Sequence, residues 1–281
     1  FDAISYLPLL KLKGAKVIYD VHEDFVLLIR HLKKWRLVAF FAHLYEWFFV
    51  QFADKFILVT EEHLKKFKRY GIQRKNITIV KNYVKLEHYK KAKARKTYSF
   101  VYCGTANKDR MIHKLVEYGA AYKKKGLKIL LIMSGLEGER AKIKKLIKEK
   151  KAEKQVHVLE KIPAPQVPTE VAKAKIGIIF FSNNPKYREG IPVKITEYSA
   201  VGLPTLATNN NIFVQKYIAK NNCGILLNDL EPQTIDAARE NIMKNYAKMS
   251  KNARQTVDQY SWEGEEKKLT ELYTKIYNSK R

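Results

Sequence analysis

The chain has 281 residues, 46% of them hydrophobic, with 17 Tyr, 13 Phe and 3 Trp. That excludes a disordered chain and leaves room for two modest domains. Its 54 Lys and Arg against 28 Asp and Glu give a net charge of +26, which either attracts phosphates on a partner or coats solvated helix faces with lysine.

Taken in order, residues 7–12 predict a helix ended by Gly14, and 16–20 a short buried strand. The loop 21–24 follows that strand. Residues 25–53 carry a long helical pattern rich in Leu, Phe and Trp. Residues 56–60 read as a second strand, 61–70 as a helix closed by Gly71, and 77–80 as a third strand. Strands alternating with helices predict a parallel sheet with right-handed crossovers. The basic stretch 85–96 shows no apolar periodicity and reads as a linker.

A new α/β alternation begins at 98–103. Helices are expected at 112–124, 139–151, 167–174, 193–201 and 214–219. Strands are expected at 128–133, 157–159, 176–181, 204–208 and 224–227, with two helices at the end. This stretch is a doubly wound domain almost by itself. The first part, by contrast, opens in the middle of such a domain. Three βα units of about 30 residues each, about 90 residues in all, would be missing. The expectation is a trimmed chain, or a half supplied by another polypeptide.

Cys103 and Cys223 do not make a disulfide framework, so a reducing compartment is expected. No signal peptide and no membrane-spanning run is read. No nucleic-acid-binding motif is visible. There is no Asp-x-Asp motif and no His/Cys cluster at metal-ligand spacing.

Residues 188–204, REGIPVKITEYSAVGLP, carry the chemistry. Glu189 sits on a loop at a strand's carboxyl end. Glu197 faces inward from the following helix. Carboxylates there can accept hydrogen bonds from sugar hydroxyls, and the helix N-terminus between them offers backbone N–H groups to a diphosphate. The bland alternative is a surface Glu and a helix Glu at accidental spacing.

This segment resembles the signature of family 4 glycosyltransferases, which are retaining GT-B enzymes. The loop 20–24 (DVHED) resembles a bacterial polysaccharide-type subgroup. Residues 80–83 (VKNY) resemble the end of the amino-terminal domain. Ser261-Trp-Glu, with Leu269 and Tyr273, resembles the last helix, which crosses back to that domain.

The resemblance implies a GT-B fold of two Rossmann-like doubly wound domains, the first truncated. It divides the chain into 1–92 on the acceptor side, 97–258 for the nucleotide sugar, and a crossing helix at 259–281. By the same resemblance Glu189 contacts the donor sugar and Glu197 the ribose hydroxyls. The backbone near Ile191 and Val193 meets the diphosphate, and Arg110 in the loop 104–110 (GTANKDR) neutralises it. Lys108 is a weaker candidate there. Gly104 allows close backbone approach, as any tight βα turn requires.

The chain departs from the pattern at Pro192, where many relatives carry Gly. Proline lacks an N–H, and Lys194 is expected to compensate as a charge, its alternative being an exposed helix lysine. His22 is expected to touch the transferred sugar or its phosphate. Glu23 and Asp24 have no settled role, and Asp24 can cap the next helix.

The expected function is retaining transfer from a UDP- or GDP-sugar to a glycan or polyprenyl-linked acceptor in cell-surface polysaccharide synthesis. Metal independence and a dissociative path are expected. Residues 33–36, basic among aromatics, suggest peripheral contact with the inner face of the plasma membrane from the cytoplasm, near a lipid-linked acceptor, while the rest of 25–52 is expected to be buried, its part 44–47 resembling the family's core. The alternatives are a non-catalytic binding subunit of the same fold and a basic nucleic-acid-binding protein; no nucleic acid is expected. Alone, the shortened chain is expected to bind nucleotide but transfer poorly.

Overall fold

The computed structural model describes residues 2–21, 26, 36–61, 63–188 and 190–278. The expectations placed on His22, Glu23, Asp24, Lys33, Lys34 and Glu189 lie outside these residues. The chain divides into two compact units, Phe1–Asn82 with Trp262–Arg281, and Tyr83–Ser261.

In the first unit β1 (Ile18–Val21), β2 (Lys55–Leu58) and β3 (Ile77–Ile79) form a parallel sheet in that order. Successive strand residues point to opposite faces, so Phe56 and Leu58 enter one core and Ile57 the other. The first core gathers Leu7 from α1 (Leu7–Leu12), Val50 from α2 (Arg36–Val50) and Phe67 from α3 (His63–Arg69). The second takes Leu272, Leu269 and Trp262 from the terminal helix Trp262–Asn278. That helix is also pinned by a buried carboxylate. Glu265, 6% exposed, accepts the Lys81 N–H at 3.0 Å and pairs with Lys268 at 2.7 Å.

The second unit is a six-stranded parallel sheet, β4 (Tyr98–Thr105), β5 (Ile129–Ser134), β6 (Val156–Glu160), β7 (Ala174–Ile179), β8 (Thr205–Thr208) and β9 (Gly224–Leu227). Their order across the sheet is β6-β5-β4-β7-β8-β9. Both faces are covered, which is why β5 is apolar from Ile129 to Met133 and β7 from Ile176 to Ile179 without alternation. The helices are α4 (Leu86–Lys90), α5 (Ile112–Ala121), α6 (Glu137–Glu149), α7 (Val167–Ala172), α8 (Lys194–Ala200), α9 (Ile212–Asn221), α10 (Pro232–Lys244) and α11 (Tyr246–Thr256).

The stretch 85–96, read as a linker, contains α4, whose Leu86 and Tyr89 are buried in this unit's core. Its apolar pair is spaced i, i+3, enough to seat one helical turn but too short to register as periodicity among lysines.

Strand order reverses between β4 and β7, and ligands of such sheets bind at that switch point beyond the strands' carboxyl ends. The two strands part there. β4 pairs with β5 along its length to Thr105 opposite Ser134, but its pairing with β7 stops at Val101 opposite Gly177.

Candidate functional site

A recess of about 270 Å³ opens where β4 and β7 diverge. Its walls are Tyr102–Thr105 from β4, Ile178–Phe181 from β7 and the following residues, Arg110, and the segment Ile191–Lys194. Of the residues singled out in the sequence, Gly104, Arg110, Ile191, Val193 and Lys194 line it together. Lys108 does not, and is exposed.

The loop after β4 is built by local hydrogen bonds. Asn107 accepts the Arg110 N–H at 3.1 Å, and Tyr102 donates its hydroxyl to the Thr105 carbonyl at 2.8 Å. A Cβ on Gly104 would sit 3.0 Å from that hydroxyl, so the glycine answers first to this contact. Asp109 ties the loop to the one after β7, accepting from the Ser182 hydroxyl at 2.6 Å and the Asn184 amide at 3.2 Å.

Among the described residues no acid pairs with Arg110. Its guanidinium carbon lies 4.7 Å from the Phe181 ring centre and 4.8 Å from that of Tyr187, rings themselves stacked at 12°. Such contacts stabilise a cation by roughly 0.5–2 kcal/mol while leaving its N–H donors free. The Nε is buried and has no partner among the described residues. A donor so placed costs about 1–3 kcal/mol until something accepts from it. A phosphate oxygen in the recess would do so.

On the other wall the turn 191–193 leads into α8. Pro192 and Val193 carbonyls accept from Ile195 at 3.1 Å and Glu197 at 3.2 Å. That leaves the N–H groups of Val193 and Lys194 without a partner among the described residues. Asn211, 1% exposed, braces this turn from behind. Its amide donates to the Tyr187 carbonyl at 2.6 Å and the Gly190 carbonyl at 2.8 Å, and its oxygen caps α9 through the Val214 N–H at 2.9 Å.

Glu197 does not reach the recess wall. It is 6% exposed and stands behind Lys194, paired to its Nζ at 2.6 Å. Burial disfavours the Lys194 ammonium, but the Glu197 carboxylate and Cys103 outweigh it and raise its pKa above the ordinary lysine value. Burial pushes the Cys103 thiol up, with Lys194 opposing. The phenol of Tyr89, from α4, faces the same cluster. It is raised by burial, by Glu197 and by Cys103. The carboxylate is thus buried with one cation and one phenol around it, as a buried charge requires.

Four residues here escaped the sequence reading. Tyr89 lay in the supposed linker. Phe181 was read as the end of a strand and Tyr187 was not singled out, and neither gave a signal of a guanidinium beside it. Asn211 was legible as a helix cap, being an Asn before an apolar run, but its grip on the 187–190 turn was not.

A family model described as glycosyl transferases group 1 matches residues 84–256, and one described as glycosyltransferase family 4 matches residues 1–88. No curated protein matches the chain. Among similar solved structures is sucrose-phosphate synthase from Thermosynechococcus elongatus, with TM-score 0.73 and 16% identity over 96% of this chain and 70% of that one. HepE of Anabaena in complex with UDP aligns with TM-score 0.74 and 14% identity over 97% of this chain and 76% of its own. A glycosyltransferase from Rickettsia africae gives 0.64 and 17% over 97% and 80%. At these identities the likeness bears on the fold.

Proposed function

This chain belongs to the glycosyl transferases group 1 family and has the GT-B fold, and from that premise we propose that it moves a sugar from a UDP- or GDP-linked donor to a glycan or polyprenyl-linked acceptor. The observation that carries this reading is the recess at the switch point, walled on one side by a guanidinium whose Nε has no acceptor among the described residues and on the other by Lys194 over Glu197.

A nucleoside diphosphate fits that arrangement. Its phosphates accept from Arg110 and from the N–H groups of Val193 and Lys194. They also draw the Lys194 ammonium off Glu197, whose carboxylate is then free to accept the ribose hydroxyls. The HepE complex with UDP supports UDP as the first nucleotide to try.

Two positive side chains on the diphosphate take the part a divalent cation plays elsewhere, so transfer is proposed to be metal-independent, and EDTA should leave it unchanged. They also stabilise the charge left on the departing diphosphate, which favours a dissociative path with retention of configuration. Glu189 on the donor sugar and His22 on the transferred sugar or its phosphate complete the proposal. A role in cell-surface polysaccharide synthesis, at the inner face of the plasma membrane, is proposed with it. It is supported by the apolar stripe of α2, expected from the sequence to be buried core, where Leu37, Phe40, Phe41, Leu44, Trp47 and Phe48 are instead all exposed. No helix among the described residues is long and apolar enough to cross a membrane.

The test is calorimetric titration with UDP and with GDP, repeated on Glu197→Ala. Micromolar binding of one nucleotide, weakened at least tenfold by the substitution, is expected. Failure of both nucleotides to bind the unsubstituted chain would reject the reading.

A further inference from the structure

The recess exists because β4 and β7 stop pairing, and one side chain stands where they part. Tyr198 on α8 is fully buried. Its hydroxyl accepts from the Cys103 N–H at 3.1 Å and donates to the Ile178 carbonyl at 3.3 Å. The last paired residues of the two strands are Val101 and Gly177. In a parallel ladder the next rung past that pair would join the Cys103 N–H to the Ile178 carbonyl directly. The phenol oxygen has been inserted into this rung.

The ring is held as firmly as the hydroxyl. A Cβ on Gly177 would lie 2.3 Å from the Tyr198 ring, so the ring rests directly on the β7 backbone in space that any other residue would fill. The phenol pKa is raised well above its ordinary value, first by burial, so it keeps the proton it donates to Ile178. Glu197, the adjoining residue, belongs to the same short helix. One residue thus separates the strands, satisfies both backbone groups that the separation orphans, and fixes the helix carrying Lys194 and Glu197 against them.

We propose that Tyr198 is a positioning residue for nucleotide binding: its hydroxyl replaces a ladder hydrogen bond between β4 and β7 and so holds the crevice at the width a diphosphate needs. This rests on reading the recess as the nucleotide site, and the experiment separates the two. Tyr198→Phe keeps the ring on Gly177, and therefore the steric gap, while removing the pin. The Cys103 N–H and Ile178 carbonyl are then left facing each other too far apart to bond.

Two measurements are made on the whole chain and on Tyr198→Phe. Hydrogen exchange needs no ligand, and the Cys103 amide is expected to exchange at least tenfold faster in the variant. Calorimetry with UDP is expected to show unchanged stoichiometry with about tenfold weaker affinity, or about 1.4 kcal/mol. Ile235→Val, a core change on α10, serves as the control for lost stability alone and should leave the affinity of the folded fraction unchanged. A merely structural tyrosine would behave like that control, with a lower Tm and full affinity, and this result overturns the proposal. Unchanged exchange at Cys103 overturns it as well. Absence of UDP and GDP binding to the unsubstituted chain rejects the nucleotide reading instead, and the exchange experiment still decides whether the hydroxyl pins the strands.

Discussion

At the scale of single residues the site is governed by which charges have partners. Lys194 has Glu197 at 2.6 Å, whereas Arg110 has two ring faces and a buried Nε with no acceptor among the described residues. The planar fork of arginine suits both the stacking and a bidentate phosphate contact, and lysine offers neither. Arg110→Lys is therefore expected to weaken UDP binding about tenfold, while Lys108→Ala changes it by less than about twofold. Titration of both variants checks the pair, and equal losses would reject the assignment. Gly177→Ala should destabilise by roughly 1–3 kcal/mol through overpacking against Tyr198, measured by urea unfolding. Much of this was visible beforehand. Arg110, Gly104, Ile191, Val193 and Lys194 were all singled out from the sequence, and they meet at one recess. The position of Glu197 behind Lys194 was not legible, because an i, i+3 pair on a helix can form or stay apart, and only the burial of both side chains decides it.

At the scale of elements the clearest difference lies in 85–96. Lysines dominate its composition, yet Leu86 is 2% and Tyr89 8% exposed. Leu86→Ala is expected to cost about 2–3 kcal/mol, as for other buried leucines, and denaturant unfolding would show it. A true linker would show almost nothing. Lys96, at the end of the same stretch, donates to the Ala172 carbonyl at 2.8 Å. Its pKa is lowered from 10.5 to about 8 by burial and by Arg254. Between those two values the unfolded chain holds a proton that the folded chain has released, so stability rises with pH through that window. Relative to Lys96→Met, which lacks this titration, the unfolding midpoint should climb as pH is raised from about 8 to 10.5. A constant difference would contradict it. The strands fared better than the linker: β9 matches its expected range, and β5 and β6 lie within one or two residues of theirs. Short apolar runs bounded by polar or turn residues have few other ways to bury themselves.

At the scale of the whole molecule, two surface features bear on partners. The net charge of +26 is spread over many helices, and it should attract nucleic acid only weakly. Filter binding at rising salt would reveal any such complex through its steep salt slope. The apolar stripe of α2 is more pointed, since exposed Phe41 (59%) and Trp47 (45%) stand on one face with Leu37 and Leu44. Phe41→Ser with Trp47→Ser should lower co-sedimentation with vesicles containing anionic lipid by more than half. Undiminished sedimentation would remove the stripe from the proposed membrane contact.

By itself the sequence determined the alternation of strands and helices and the parallel sheets that follow from it, because apolar period, turn chemistry and the position of a loop after a strand are local properties of the chain; five of the recess-wall residues were pointed to by the motifs that carry the family resemblance. The tertiary structure alone decided where the strands part. The rung between Cys103 and Ile178 is interrupted by the hydroxyl of Tyr198, 95 residues from Cys103. It likewise decided that Arg110 lies against Phe181 and Tyr187, and that Asn211 holds the turn before α8. Each of these joins residues distant in the chain, and no pattern of neighbours along a sequence encodes a contact that depends on how six strands are ordered across a sheet.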